Sequence, residues 1–304
     1  MNDKNSEKRR CGFVALIGAP NAGKSTLLNQ MVGAKVSIVT HKVQTTRARI
    51  RGISLLGDAQ IVFVDTPGIF KPRRRLDRAM VEAAWGGASD ADAVVLLIDA
   101  ERGIDEDVDR ILAGLNKDGR SAILAINKID LVRREDLLAL TARLTQSHTF
   151  TEVFMISAEK GDGVEDMKTH LAGLMPLGPW HYPEDQIADV PLRSMAAEIT
   201  REKLYLRLHQ ELPYSLTVET EKWEERKDGS ARIEQVIYIE RESQKKILIG
   251  KGGQSLKTIG QLAREEMMEL FGHTVHLFLF VKVRENWGDD RERFREIGLN
   301  FPTD

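Results

Sequence analysis

Gly18-Ala19-Pro20-Asn21-Ala22-Gly23-Lys24-Ser25-Thr26 is the stretch on which the first half of the chain turns. It follows an apolar run, Phe13-Val14-Ala15-Leu16-Ile17, that reads as a buried parallel strand. It precedes Leu27-Leu28-Asn29-Gln30-Met31-Val32, which has helical character. Strand, glycine-rich turn and helix form the context in which Gly-x-x-x-x-Gly-Lys-Ser is a phosphate site. Gly18 and Gly23 let the backbone reverse without a Cβ clash. The N–H groups so freed point at the positive end of the helix dipole, where a polyphosphate can sit. Lys24 is placed to reach the outer phosphates, and the Ser25 hydroxyl is the natural magnesium ligand. A glycine-rich turn that merely matches the spacing is the bland alternative.

At 304 residues the chain is long enough for two cores. A formal net charge of −2 advertises no polyanion partner, so only a local basic surface could do so. One cysteine, Cys11, excludes an internal disulfide framework and fits a reducing, cytoplasmic compartment. Residues 1–10 read as a polar N-terminal tail without a signal peptide, and no run approaches the ~20 apolar residues of a membrane span. The seven histidines have no ligand-like spacing, so no zinc site is expected.

Five more strands are expected, over residues 50–56, 59–64, 93–98, 122–126 and 153–156. Most are short continuous apolar runs, the pattern of strands covered on both faces. Helical spacing lies between several, as in Leu76, Met80 and Ala84 or Leu137, Leu140 and Leu144. The alternation implies an α/β domain: a mostly parallel six-stranded sheet with helices on both faces. Ligands of such sheets bind at the carboxyl ends of the strands, where the remaining motifs fall.

Thr40-His41-Lys42-Val43-Gln44-Thr45-Thr46-Arg47 is polar and aperiodic, and it reads as a mobile loop. A threonine here could complete a magnesium shell, although a solvated turn would be the default. Asp65-Thr66-Pro67-Gly68 closes the third strand; its carboxylate can hold the metal through water, and the Gly68 N–H can approach a γ-phosphate. A plain turn is the alternative. Lys71, Arg73, Arg74 and Arg75 read as a solvated loop. Asn127-Lys128-Ile129-Asp130 closes the fifth strand, and Asp130 decides the base. A carboxylate can accept both N1–H and N2–H₂ of guanine, whereas adenine offers no such donor pair. Asn127 can bond the base edge and tie loops together, the Lys128 stem can lie over the ring, and Ser157-Ala158 can offer backbone N–H groups to the guanine O6.

These five stretches, 18–26, Thr45-Thr46, 65–68, 127–130 and 157–160, together resemble the guanine-nucleotide motifs of translation-factor-type GTPases over roughly residues 10–175. The resemblance implies GTP and GDP as ligands, contacted by the motif residues and by Ile69. It implies Mg²⁺ on Ser25, Thr46 and Asp65, and a catalytic set of Asn21, Lys24, Thr45, Thr46 and Gly68. The water-orienting glutamine of many regulatory GTPases is replaced by Ile69, which has no donor or acceptor, and no arginine finger stands out. Backbone groups of the Thr45-Thr46 loop are left to hold the water. Asn21 matches a position that helps to hold potassium in related GTPases, where a cation would offset developing charge between the β- and γ-phosphates. The other reading of Asn21 is a residue that fits a tight turn. The expected activity is slow intrinsic GTP hydrolysis stimulated by K⁺ and RNA.

Prolines 176, 179, 183 and 191 mark a linker over 176–190, which separates a domain of residues 11–175 from one of 191–285; residues 286–304 read as a tail. Beyond the linker, Met195, Ile199 and Leu206 mark a helix. Tyr214, Leu216 and Val218 alternate as a strand, as do the residues from Ile233 to Ile239. Two helices and a strand over 275–283 follow, an α+β plan with a three-stranded sheet. Between those helices lies Ile249-Gly250-Lys251-Gly252-Gly253, a turn without side chains at its corners, where a sugar–phosphate backbone can approach. Lys245, Lys246, Lys251, Lys257 and Arg264 make a local basic footprint, and Ile247, Leu248, Ile249 and Ile259 could line a groove for unstacked bases. A glycine-capped helix connection with solvated lysines is the bland alternative.

The element order and this turn resemble a type II KH domain, and a GTPase domain followed by it resembles the bacterial Era family over nearly the whole chain. The resemblance implies binding near the 3′ end of 16S rRNA, a role in maturation of the small ribosomal subunit, a monomer, and peripheral association with the inner membrane, for which no anchor is visible. Val43 departs from the proline that many relatives carry before Gln-Thr-Thr-Arg, which should loosen that loop slightly. Two other classes stay open: an RNA- or membrane-associated signalling GTPase outside ribosome assembly, and a passive RNA-binding module with a structural nucleotide.

Overall fold

The computed structural model describes residues 8–208, 212–285 and 287–302. The chain divides into two compact units. Unit 1 takes in the chain up to Ser37, then Thr46–Asp189, and resumes at Ile297; unit 2 comprises Ile38–Thr45 and Val190–Glu296.

Unit 1 runs β1 (Arg10–Gly18), α1 (Lys24–Val32), β2 (Ile50–Leu56), β3 (Ala59–Asp65), α2 (Arg75–Asp90), β4 (Ala93–Asp99), α3 (Glu106–Lys117), β5 (Ala122–Asn127), α4 (Arg134–Ser147), β6 (Phe150–Ile156) and α5 (Val164–Leu174). The strands form one six-stranded sheet in the order β2-β3-β1-β4-β5-β6. Only β2 is antiparallel, because it joins β3 through the short Gly57-Asp58 turn and needs no crossover. Strict alternation along β1 sends Val14 and Leu16 to one face, against Leu27, Leu28 and Met31 of α1 and Met167 and Leu171 of α5. Ala15 and Ile17 go to the other, with Ile111 and Leu115 of α3 and Leu140 and Leu144 of α4. Both faces are covered, so the strands are apolar throughout. The order reverses at β1, flanked by β3 and β4, and a crevice opens outside the carboxyl end of such a strand.

The proline-rich segment expected as an interdomain linker lies as a strap on unit 1. Pro176 O accepts from Cys11 N–H at 3.0 Å, the Gly178 N–H donates to Arg9 O at 3.0 Å, and Ile187 O accepts from Ile53 N–H at 2.8 Å. Gln60, fully buried, hooks the middle: its Oε1 accepts from His181 and Tyr182 N–H at 2.9 and 3.0 Å, and its Nε2 donates to Tyr182 O at 2.8 Å. Residues 187–189 thereby cover the outer edge of β2, which would otherwise expose an unpaired ladder.

Unit 2 contains α6 (Leu192–Arg207), β7 (Leu216–Glu225), β8 (Ala231–Ile239), α7 (Glu242–Ile249), α8 (Gln254–Phe271) and β9 (Val275–Val283), and α9 (Arg291–Ile297) begins in it. Its three strands lie in the order β7-β8-β9, the first pair antiparallel and the second parallel. Ile199 and Leu204 of α6, Ile259, Ala263 and Met267 of α8, and Ile233 and Ile237 of β8 are all buried between helices and sheet. Tyr214 is not in the strand: Leu212–Ser215 form a 3-10 turn, since Pro213 has no N–H for a ladder. Leu206 is half exposed in the last turn of α6, where Leu204 and Tyr205 are buried instead. The expected C-terminal tail is packed: Trp287 is buried and donates Nε1–H to Ser215 O at 3.0 Å, and Arg293 stacks 4.5 Å from the Tyr238 ring centroid. A short, highly charged helix gave no periodicity by which to foresee this.

Replacing Gln60 by Leu would strand two strap N–H groups and one carbonyl. We expect unit 1 to lose about 2–3 kcal/mol, the penalty for buried polar groups left unpaired, with faster proteolysis within 176–189. Urea melts and limited proteolysis read both, and an unchanged midpoint would contradict the role of Gln60.

Candidate functional site

The expected phosphate loop lies at the carboxyl end of β1. Gly18 has φ 155° and Gly23 φ 97°, and a Cβ on Gly23 would fall 2.2 Å from Asn127 Nδ2. Glycine is required there by both conformation and contact. Asn21 also sits in the left-handed region, at φ 65°, which asparagine tolerates better than most residues. Ala19, Pro20 and Ala22 are buried, and Thr26 lies in the first turn of α1. Arg102, in the loop after β4, donates to Pro20 O at 3.0 Å and pairs with Asp105 at 2.5 Å. Nothing in the sequence singled out Arg102.

Lys24 is strongly perturbed. Only 6% exposed, it turns its Nζ onto Gly18 O (3.2 Å) and Ala19 O (3.0 Å). Burial lowers its pKa to about 8, and the nearby Asp65 carboxylate opposes that shift without cancelling it. Asp65 is fully buried, and burial raises its pKa against the pull of Lys24 and three hydroxyls. The hydroxyls are Ser25 (2.6 Å), Ser37 (3.1 Å) and Thr46 (3.3 Å), all on Oδ2, and Ser25 Oγ and Thr46 Oγ1 are 2.8 Å apart. Asp65 Oδ1 is buried with no hydrogen-bond partner.

The three expected magnesium ligands are therefore brought together. An unpaired buried carboxylate oxygen beside two hydroxyls is a hard, all-oxygen donor set suited to Mg²⁺. Among the described residues no group of three or more His, Cys, Asp or Glu could hold a metal, so such an ion would fill its shell with water and phosphate oxygens. Ser37 is an addition: its position is fixed by Asn29, whose Oδ1 accepts from Val36 and Ser37 N–H at 2.9 Å each. A lone serine inside the apolar run Val36-Ser37-Ile38-Val39 was the available signal.

Of the other expected residues, Thr66 donates to Leu16 O at 2.7 Å and fixes the end of β3 to β1. Pro67 is buried, and Gly68 passes Pro20 so closely that a Cβ would meet it at 2.9 Å. Ile69 is fully buried among Ala15, Ile17 and Ala19, and its N–H donates to Gly18 O at 3.0 Å. Its side chain is core, and its backbone braces the loop. Thr45 is not in the Asp65 cluster; its hydroxyl is spent on Thr40 and on Lys42 O.

At the end of β5, Asn127 joins three loops. Its Nδ2 donates to Ala22 O at 2.8 Å, and its Oδ1 accepts from Ala158 N–H at 2.9 Å. The Ser157 N–H goes to Asp162 O at 3.0 Å. Both N–H groups expected to meet guanine O6 thus have partners in the protein, that of Ala158 on Asn127 and that of Ser157 on Asp162. Lys128 has φ 66° and pairs with Asp99 at 2.6 Å. Ile129–Leu131 form one 3-10 turn that presents Asp130. The Ser157 hydroxyl, with Lys160 at 3.3 Å, holds the Asp130 carboxyl below its ordinary pKa, so it stays an acceptor.

In unit 2, α7 ends at Gly250 (φ 74°) and α8 starts after Gly253 (φ 78°), with Gly252 at φ 59° between. A Cβ on Gly250 would meet Ser255 Cβ at 2.8 Å, whereas Gly252 and Gly253 face open space. Lys246, Lys251 and Lys257 are exposed, Ile249 is half-buried, and Lys245 lies 4.0 Å from Glu242. Leu248 and Ile259 are fully buried in the core and do not line a groove. A groove runs beside them, lined by Gly253, Leu256, Gly260, Arg264, Leu277 and Leu279. Helical period alone did not separate the two faces of α8.

A phosphate loop, a hydroxyl–carboxylate cluster at the next strand end and an acidic base-reading turn define unit 1 as a P-loop GTPase domain, joined to a KH-type domain. The family model described as "50S ribosome-binding GTPase" matches residues 13–128, and one described as "KH domain" matches 211–288. GTPase Era of Rhizobium meliloti (strain 1021) is 68% identical over 96% of this chain and 94% of its own length. GTPase Era of Agrobacterium fabrum is 65% identical over 99% and 95%. A crystal structure of Era in complex with MgGDPNP and nucleotides 1506–1542 of 16S ribosomal RNA is 38% identical, with TM-score 0.91 over 95% of this chain and 99% of that one. A point variant of Aquifex aeolicus Era bound to GDP.AlF4- is 38% identical at TM-score 0.90 over the same shares. The chain belongs to the Era family of GTPases.

A polyphosphate favours charged Lys24, whose own pKa is about 8. Binding of GDP should therefore take up a proton above pH 8, and affinity should fall as pH rises from 8 towards 10, by up to ten-fold per pH unit. Calorimetry in buffers of different ionisation enthalpy measures the uptake; a pH-independent affinity over that window would exclude it.

Proposed function

We propose that the protein binds GTP with Mg²⁺, hydrolyses it slowly, and binds 16S rRNA near its 3′ end to serve maturation of the small ribosomal subunit. The observation that carries this reading is the full-length likeness to an Era solved with MgGDPNP and nucleotides 1506–1542 of 16S ribosomal RNA, since it spans both units.

Residues 18–26 would wrap the phosphates, with Lys24 exchanging its two loop carbonyls for phosphate oxygens. Ser25, Thr46 and Asp65 would hold Mg²⁺, directly or through water, and the ion when bound offsets charge on the transferring phosphoryl group. Asp130 accepts from the guanine edge, Lys128 lies beside the ring, and Asn127 keeps the base loops on the phosphate loop. With Ile69 in the core, the water has only backbone groups near Thr46 and Gly68 to orient it, which fits a slow intrinsic rate. Gly250 to Gly253 admit the RNA backbone, with Lys245, Lys246, Lys251 and Lys257 facing its phosphates and Leu256, Leu277 and Leu279 the bases. We place the protein in the cytoplasm as a monomer. No helix of the described residues is long and apolar enough to cross a membrane, so the peripheral inner-membrane association implied by the family would have to use a surface.

RNA affinity measured with GTP, GDP and no nucleotide tests the reading. We expect about a five- to ten-fold difference between GTP and GDP, a usual size of coupling. Equal affinities would leave a passive RNA module, and crosslinks confined to RNA outside 16S would remove the ribosomal role. A potassium site at Asn21 is part of the proposal. Asn21→Ala should reduce the hydrolysis rate in K⁺ to the rate in Na⁺, with Asn21→Gly, which keeps the left-handed backbone, as a control. An undiminished K⁺ rate in both variants would refute it.

A further inference from the structure

The basic run that leads into α2 has no part in the function proposed above. Residues 66–81 hold five cations, Lys71, Arg73, Arg74, Arg75 and Arg78, against one acid, Asp77. That acid does not offset the run at the surface. It is buried, and its Oδ2 accepts from the Arg73 and Arg74 N–H groups at 3.0 and 2.9 Å.

Residues 70–74 form an arch of unit 1 pinned at both ends. Ile69 is fully buried at one end, and Leu76 and Met80 anchor the first turns of α2 at the other. Pro72 fixes one backbone angle between them. Arg75 departs from the solvated loop expected of it: it is half-buried, with its guanidinium 4.9 Å from the Phe301 ring centroid. Lys71, Arg73 and Arg74 are exposed, and among the described residues their side chains form no ion pair.

Arg74 is the N-cap of α2, so these cations gather at the positive end of a 16-residue helix. Positive charge is disfavoured there, and the neighbouring like charges add to the cost. A phosphate brought to the arch relieves both, because it pairs with the guanidinium forks and meets the helix end with the sign that end favours. The apolar residues alongside are buried or, for Phe70, half-buried, so the arch has little to insert into a bilayer. That favours a nucleic-acid backbone over a lipid surface.

We propose that Lys71, Arg73 and Arg74 form a second RNA-binding surface, carried by unit 1, which grips the sugar–phosphate backbone without reading bases. It adds salt-dependent affinity that is separate from the glycine turn and groove of unit 2. The proposal rests on the reading that the protein binds RNA.

The test measures binding of 16S rRNA by the full chain between about 50 and 200 mM NaCl, the range over which phosphate contacts show their salt dependence. It compares the unsubstituted protein, the triple variant Lys71→Gln/Arg73→Gln/Arg74→Gln, and Arg73→Lys/Arg74→Lys. Each phosphate contact contributes about 0.7–0.9 to the slope of log affinity against log salt, so the triple variant should lose about 2–3 of that slope. The fourfold rise in salt then costs it about 20- to 40-fold less affinity than it costs the unsubstituted chain. The lysine variant should keep the slope, because counterion release counts charges. All three side chains are exposed, so the fold should persist, which a urea melt checks. Should the triple variant melt early, Arg73→Gln alone decides, with an expected loss of about 1 in slope. An unchanged slope overturns the proposal. So does a loss of GDP affinity or basal hydrolysis, which would place the cations on the nucleotide. Binding lost to phosphatidylglycerol vesicles but kept for rRNA would make the arch a lipid site and overturn it too. Absence of rRNA binding by the unsubstituted chain would remove the RNA reading itself, whereas binding with an unchanged slope removes only the arch.

Discussion

Two opposite charges, Lys24 at the start of α1 and Asp65 at the end of β3, are buried near each other, and most of unit 1 is arranged to tolerate them. Neither has a full set of partners: Lys24 rests on two carbonyls, and one oxygen of Asp65 has none. Such groups are expensive to desolvate, and burial moves each pKa toward its neutral form. A stable fold keeps them only where the surroundings are rigid. The two-faced sheet supplies that rigidity, and Thr66, Ile69 and Asn127 tie its strand ends together with backbone contacts.

The site is thus preorganised by second partners rather than by the motif residues alone. Ser37 shares Asp65 with Ser25 and Thr46, and Asn29 holds Ser37. Asp99 holds Lys128, and Arg102 holds Pro20. Ser157 and Lys160 keep Asp130 an ionised acceptor. Each bond removes a freedom that a nucleotide would otherwise have to freeze on binding, which is how preorganisation raises affinity without new contacts. The KH-type unit differs: its glycine turn faces open space at Gly252 and Gly253, and its groove is formed by side chains of α8 and β9.

Much of this was legible in the sequence. The strand ends at Gly18, Asp65 and Asn127 follow from apolar runs that stop at glycine or a polar residue, and Ser25, Thr46 and Asp65, expected as magnesium ligands, do meet. What was not legible has a common cause. The strap-like course of 176–189 could not be seen because prolines and glycines obscure period, and its anchor, Gln60, lies over a hundred residues away. Ser157 and Ala158 were expected to offer N–H groups to guanine O6, and no local pattern reveals that Asn127, thirty-one residues away, takes up that of Ala158.

The sequence by itself determined the class: glycine spacing for a phosphate loop, an acidic residue in the turn after β5, and a glycine turn between two amphipathic helices. These are short-range requirements of backbone conformation and donor–acceptor matching, so a few adjacent residues carry them. Only the tertiary structure decided that Ile69 serves the core and that Leu248 and Ile259 do not line the groove. The physical reason is that burial and long-range hydrogen bonds depend on which distant residue arrives opposite, and a linear pattern holds no record of that partner.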